Sequence, residues 1–207
     1  LDPTQTPGKN AQRYFAKYNK QKRTFEALTE LIQETADDIQ YLESISNALD
    51  IALSEADLAQ IKEELMQSGY IRRKHTKKKV KLTSKPMHYI SSDGYDMYVG
   101  KNNLQNEELT FSFANGNDWW FHAKGAPGSH VIVKSGGDEL PDRTFEEAGR
   151  LAAYYSKNRG ADKVEIDYIQ KKHVKKPNGA KPGFVVYYTN YSLVIDSDIS
   201  NIKNVQD

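Results

Sequence analysis

From Lys9 to Ser68 the chain contains neither glycine nor proline. Within that run Tyr18, Phe25, Ile32 and Ile39 recur every seven residues. Leu28, Thr35, Leu42 and Leu49 form a second series at the complementary spacing. Two such series trace an a/d-type seam along one helix, here over about four heptads. A helix of about 40 residues would run about 60 Å. Ser54, with Asp57 three residues on, has the form of a capping box and predicts a second, shorter helix. Leu58, Ile61 and Leu65 would line its face, and Gly69 would end it. The second helix is too short to cover the seam. The long helix therefore calls for a coiled-coil partner, either another copy or a missing part of the parent chain. The plainer reading is a helical pair packed on the domain that follows.

Charge divides the 207 residues into blocks that the net +1 conceals. Residues 1–70 carry 7 Lys/Arg and 12 Asp/Glu; residues 71–85 carry 8 Lys/Arg and no acid; residues 86–207 carry 14 and 16. The middle block is a basic arm containing Arg72, Arg73, Lys74, Lys77, Lys78, Lys79 and Lys81. It reads as a mobile tether kept soluble by charge, or as an anion-binding segment. The expected organisation is a helical coiled-coil segment over 1–70, a basic linker over 71–85, and a second domain over 86–207. Leu1 to Gly8 holds two prolines and reads as a linker. The start at Leu1, without a basic-then-apolar leader, reads as a fragment of a longer protein. The absence of cysteine excludes disulfides, thiol catalysis and cysteine-ligated zinc. No apolar run approaches the roughly 18–20 residues of a membrane helix.

Beyond Pro86 the periodicity changes from helical to alternating. Met87–Ile90 and Tyr95–Val99 flank Ser-Ser-Asp-Gly, a hairpin signal. Trp119–Ala123 and Ser129–Val133 flank Lys-Gly-Ala-Pro-Gly. Thr144 and Glu147 have the spacing of another capping box, opening a helix that stops near Gly160. Lys163–Ile169 alternates, with Val164, Ile166 and Tyr168 on one face. Phe184–Tyr188 and Leu193–Ile195 flank a Thr-Asn-Tyr-Ser turn. Strands joined by short turns predict a mostly antiparallel sheet with one or two packed helices, so the fold class is α+β.

Two segments place binding groups together. Along a strand, Trp119 and Trp120 point to opposite faces, so one can fill the core while the other offers a stacking platform. His122, Lys124, Ser129 and His130 set donors around a glycine-containing turn, and the N–H groups of Gly125, Gly128 and Ser129 suit a phosphate. Two tryptophans beside a Pro-Gly turn equally suit a core and a turn. The second segment runs from Lys171 to Gly183 and carries Lys171, Lys172, His173, Lys175, Lys176 and Lys181. Phosphate neutralisation by lysine is the main sequence-independent term in nucleic-acid affinity. A solvated loop whose lysines protect strand edges is the competing reading. Catalytic motifs are absent: there is no phosphate-binding Gly-rich loop, no nucleophile elbow and no His-Glu-x-x-His. No third ligand accompanies His122 and His130, so neither metal nor cofactor is expected.

Three separated stretches resemble one family in order and spacing. They are Asp93–Asn103, Asn117–Val131 and Val174–Gly183, and together they closely resemble the NFACT-R domain over residues 86–196. Asn10–Lys20 resembles the coiled-coil segment of the same family in Gram-positive bacteria. The chain is thus similar to the C-terminal part of a bacterial NFACT protein. The resemblance implies a factor of ribosome-associated quality control. Such a factor binds the large ribosomal subunit obstructed by peptidyl-tRNA and supports alanine tailing with tRNA as partner. It also implies that the C-terminal domain is an RNA-binding module, cytoplasmic and ribosome-associated, with no catalytic role of its own. Lys101, Asn102, Asn103, Trp119, Trp120, His122, Lys124, Ser129 and His130 fall in the motif stretches. Lys175, Lys176 and Lys181 fall in the basic-loop motif, beside Lys171 and Lys172. Streptococcal members are also described as surface adhesins that bind fibronectin without a signal peptide, which is the alternative function.

Overall fold

The computed structural model describes residues 1–72 and 84–205. Two compact units divide the chain, Leu1–Leu42 and the remainder from Glu43 onward. Helix α1, Pro7–Ile51, runs through the boundary. In the first unit Tyr18, Phe25, Leu28, Ile32 and Ile39 are all exposed, so the predicted seam lies bare among the described residues. The turn before α1 is organised by buried Asn10, whose amide donates to the carbonyls of Asp2, Gln5 and Thr6.

Helix α2, Glu55–Gln67, starts with the capping box expected of Ser54 and Asp57. Gly69, at φ 81, follows its end as expected. Its buried face differs from the prediction. Leu58 is exposed, and Asp57, Ile61 and Glu64 turn inward. Apolar periodicity identified the helix, but polar partners in the second unit decided which side it buries.

The second unit contains a seven-stranded antiparallel sheet, as the α+β reading requires. Its strands are β1 (Met87–Ile90), β2 (Asp96–Val99), β3 (Trp119–Ala123), β4 (Val131–Val133), β5 (Val164–Gln170), β6 (Tyr191–Ile195) and β7 (Lys203–Asn204). The spatial order is β6-β5-β3-β4-β2-β1-β7. The hairpins β1–β2 and β3–β4 form at the predicted turns. Helix α3, Asn103–Glu108, continues into a π-helical turn over Leu109–Phe113, and α4 spans Asp142–Tyr154.

The structure departs from three expectations. Thr144 and Glu147 do not cap α4, because their side chains bond to the β1–β2 turn instead. Thr144 donates to Asp93, and Glu147 accepts from the backbone and hydroxyl of Ser92. The helix also ends at Tyr154, before Gly160. Finally, Phe184–Tyr188 does not form a hairpin with β6. Val186 pairs with Lys175, while β6 pairs along β5.

Both faces of the central strands are covered, which separates two cores. On one side α4 brings Ala148, Leu151 and Ala152 onto Phe121, Ala123, Val131 and Val133. On the other, Trp120, Ile132 and Ile169 pack with Leu109, Ala114 and Val174. Val185 and Tyr187 close that second cluster from outside. The basic loop therefore lies over a core.

Candidate nucleic-acid interface

Alternation along β3 sends the two tryptophans to opposite cores, and neither remains as a free platform. Trp119 meets Phe145 edge-on at 4.8 Å between centroids and also contacts Tyr168. Trp120 is fully buried among Tyr187, His130 and His122, with centroids 5.0, 5.1 and 5.6 Å away. The predicted division of faces holds, but a stacking role for either ring does not fit this burial.

The histidines join the same core. The Nδ1 of His130 lies 2.8 Å from the Thr110 hydroxyl, and the two imidazoles stand 5.4 Å apart. Burial pushes His122 down to about 4, against the opposing bond to the Gly128 backbone and the charge of Asp167. Burial and the neighbouring His122 hold His130 well below its ordinary value. Both rings are therefore neutral near pH 7 and offer no cation to a phosphate. Among the described residues no three His, Cys, Asp or Glu side chains converge as a metal site.

The Lys101–Asn103 motif works inside the fold. Lys101 is 11% exposed and reaches Asp57 at 3.2 Å. Asn102 caps α3 by accepting from the Gln105 N–H and donates to Gln60. Asn103 donates to Ser44 and Glu64, both at 2.8 Å. Gly100 lies so close to Asn106 that a Cβ would collide with it. These side chains tie α2 and the end of α1 to α3, and their burial withdraws them from a polyanion.

Of the three N–H groups expected to meet a phosphate, that of Ser129 is already engaged. Ser129 is buried and its N–H donates to Tyr155, while Gly128 bridges to Ser156. Lys124 is exposed and paired with Glu165, which raises its pKa through their hydrogen bond.

The lysine loop keeps its charges outside. Backbone bonds from Lys171 to Asp118 and from Lys172 to Gly116 anchor its start. Val174 then dips into the core, and Lys175 exchanges two backbone bonds with Val186, at 2.9 and 2.8 Å. Lys176 pairs with Glu107 at 2.7 Å, and Lys181 donates to the Tyr70 hydroxyl. Lys171 lies over the Phe111 ring. The side chains of Lys172 and Lys175 are exposed and have no ion-pair partner among the described residues. Arg72 is exposed; Arg73, Lys74, Lys77, Lys78, Lys79 and Lys81 lie outside the described residues.

Sequence reasoning missed the aromatic component of this surface. Phe184, Tyr188 and Tyr191 are 48%, 74% and 60% exposed. Tyr191 also ends an internal stack, lying 5.5 Å from Tyr168, which in turn lies 5.5 Å from Phe121. The alternation from Phe184 to Tyr188 was visible, but its pairing partner was not.

Comparison with known proteins agrees with this architecture. Residues 1–84 match the NFACT N-terminal and middle domains, and residues 85–189 match the NFACT protein RNA binding domain. The Rqc2 homolog RqcH of Streptococcus pneumoniae is 45% identical over 207 residues, covering 100% of this chain and 37% of that protein. The Rqc2 homolog RqcH of Bacillus subtilis is 40% identical, covering 98% of this chain and 35% of that protein. The chain thus spans a little over a third of the length of these relatives. The solved C-terminal part of the fibronectin/fibrinogen-binding protein from Streptococcus suis is 43% identical and superposes with a TM-score of 0.86. It covers 97% of this chain and 81% of that one.

Proposed function

The chain belongs to the NFACT family, and from that premise we propose that it is the RNA-binding C-terminal module of a ribosome-associated quality-control factor. In this reading the whole protein engages the obstructed large ribosomal subunit and its peptidyl-tRNA and supports alanine tailing. The relatives named RqcH support the setting. The observation that carries the reading is the exposed pair Lys172 and Lys175 on an ordered loop flanked by exposed aromatic rings. Lysines held in place on a core-backed loop release counterions from phosphate without first having to be ordered. The module binds and positions RNA and performs no covalent step. The bare seam of α1 is the half of a coiled coil that a partner helix completes. The proposed location is cytoplasmic, on the ribosome; among the described residues no helix is long and apolar enough to cross a membrane.

Fibronectin binding is the second reading, favoured by the Streptococcus suis relative and the exposed tyrosines. Binding of labelled tRNA across a salt series separates the two. RNA binding gives a log–log slope of several units, about 0.7–0.9 per phosphate contact. Lys172→Glu with Lys175→Glu should flatten it. Lys176 is a poorer target, since Glu107 already pairs with it. A slope unchanged by the double substitution removes the loop from the contact. Saturable, salt-tolerant fibronectin binding without an RNA signal would favour the second reading.

A further inference from the structure

The loop from Lys171 returns on itself as a narrow ribbon joined at Lys175 and Val186. Val174 is buried in the second core, and Val185 and Tyr187 pack onto it. Strand alternation therefore turns Lys175, Phe184, Val186 and Tyr188 to the outer side. Phe184 and Tyr188, at 48% and 74% exposure, are separated on this side only by Val186. Lys175 stands opposite Val186, which sets its stem beside the residue between the two rings.

The turn after Tyr188 is held in an unfavourable conformation. Thr189, at φ 59, is the only non-glycine residue with positive φ among the described residues. A β-branched side chain is strained there. Such strain persists where the surrounding structure enforces it, and it collects at functional positions. The Thr189 hydroxyl donates to the Tyr188 carbonyl at 2.5 Å, fixing the backbone beside the exposed ring.

Exposed rings beside Lys175, with exposed Lys172 on the same loop, suit a particular form of nucleic acid. Base faces stack on aromatic side chains only when the bases are unpaired, while lysines follow the backbone. Duplex RNA keeps its base faces stacked internally and is recognised through shape, phosphates and 2′-hydroxyls. We propose that the outer side of this ribbon is a stacking platform for single-stranded RNA, with Phe184 and Tyr188 as the rings and Lys172 and Lys175 on the phosphates. The inference rests on the RNA-binding reading above and adds the form of RNA that is taken.

The test uses fluorescence anisotropy of the 207-residue chain with a labelled oligoadenylate and with a blunt RNA duplex of equal length. The single strand should bind more tightly. Phe184→Ala with Tyr188→Ala should weaken single-strand binding about tenfold or more, leaving duplex affinity and the salt slope unchanged. Tyr188→Phe keeps a ring and should bind like the parent, and thermal melting checks that each variant is folded. Lys172→Gln with Lys175→Gln should weaken both RNAs and lower the slope by about 0.7 per lysine. Ring variants that bind the single strand as tightly as the parent overturn the platform while leaving the RNA reading intact. Equal affinity for strand and duplex does the same. Failure of the parent chain to bind either RNA overturns both. Loss of fibronectin binding in the ring variants, with RNA binding unaffected, would reassign this face to a protein partner.

Discussion

The Nζ of Lys101 lies 3.2 Å from the Oδ1 of Asp57, and the Asp57 side chain is only 1% exposed. Asp57 also accepts from the Ser54 and Leu53 N–H groups and from the Ser84 hydroxyl. One carboxylate thus closes the start of α2 and joins it to Lys101, just beyond β2. Removing a buried charge's partner usually costs more than replacing the pair with apolar groups. Asp57→Ala should therefore destabilise the chain by about 3–5 kcal/mol. Lys101→Met should cost less, because Asp57 keeps its three other donors. Chemical denaturation compares them, and equal losses would show that the ion pair itself dominates. Neither change should alter the salt slope of RNA binding.

Acid should weaken the fold before carboxylate titration begins. Burial holds His122 at about 4 in the folded chain, against an ordinary 6.5. As pH falls below the unfolded value, the unfolded chain takes up the proton first. The contribution of neutral His122 is thus complete above pH 6.5 and is lost down to about 4. The loss at pH 5 should be about 2 kcal/mol, with His130 adding in the same direction. Burial raises the Asp57 pKa, but the bonds from Ser84, Leu53 and Ser54 and the charge of Lys101 outweigh it and leave a lowered value. Its contribution is present above 3.8 and disappears as pH falls further. Urea midpoints at pH 7.5 and pH 5 measure the histidine effect. His122→Gln should reduce the difference, and an unchanged difference would rule out His122 as its source.

Relief of the Thr189 conformation should stabilise the protein. Asparagine tolerates the left-handed region better than a β-branched residue. Thr189→Asn should gain about 0.5–1 kcal/mol and raise the melting temperature by a few degrees. A lower melting temperature would mean that the bond from its hydroxyl to the Tyr188 carbonyl matters more than the strain.

The tryptophans should separate in a stability assay. Trp120→Ala should cost about 3–5 kcal/mol, and the half-buried Trp119→Ala less. The buried Nε1 of Trp120 has no hydrogen-bond partner among the described residues. An unpaired buried N–H costs about 1–3 kcal/mol. Trp120→Phe removes it together with part of the ring and should lose much less than alanine. If phenylalanine is as damaging as alanine, indole shape rather than ring burial controls the site.

Local chemistry was legible where the partners lie close in the chain. The Ser54–Asp57 cap and the hairpin at Ser91–Gly94 needed only a few residues to specify them. The same pattern misled at Thr144 and Glu147, whose side chains were taken by a turn more than 50 residues earlier. Leu58 fitted the apolar face of α2, but Asn102, Asn103 and Gln105 offered α2 polar partners instead. The Lys101–Asn103 motif carried the family resemblance, and its side chains proved to be engaged within the fold.

The sequence by itself determined the long helix, its apolar seam, the antiparallel alternation and the family, because periodicity and contiguous motifs are properties of a few neighbouring residues. Only the tertiary structure decided which of these residues meet solvent. Both faces of the central strands are covered, so Trp119, Trp120, His122 and His130 turned inward. Pairing of Lys175 with Val186 then placed Lys175, Phe184 and Tyr188 outside. Strand alternation states that neighbours face opposite ways, but what covers each face depends on segments distant in the chain.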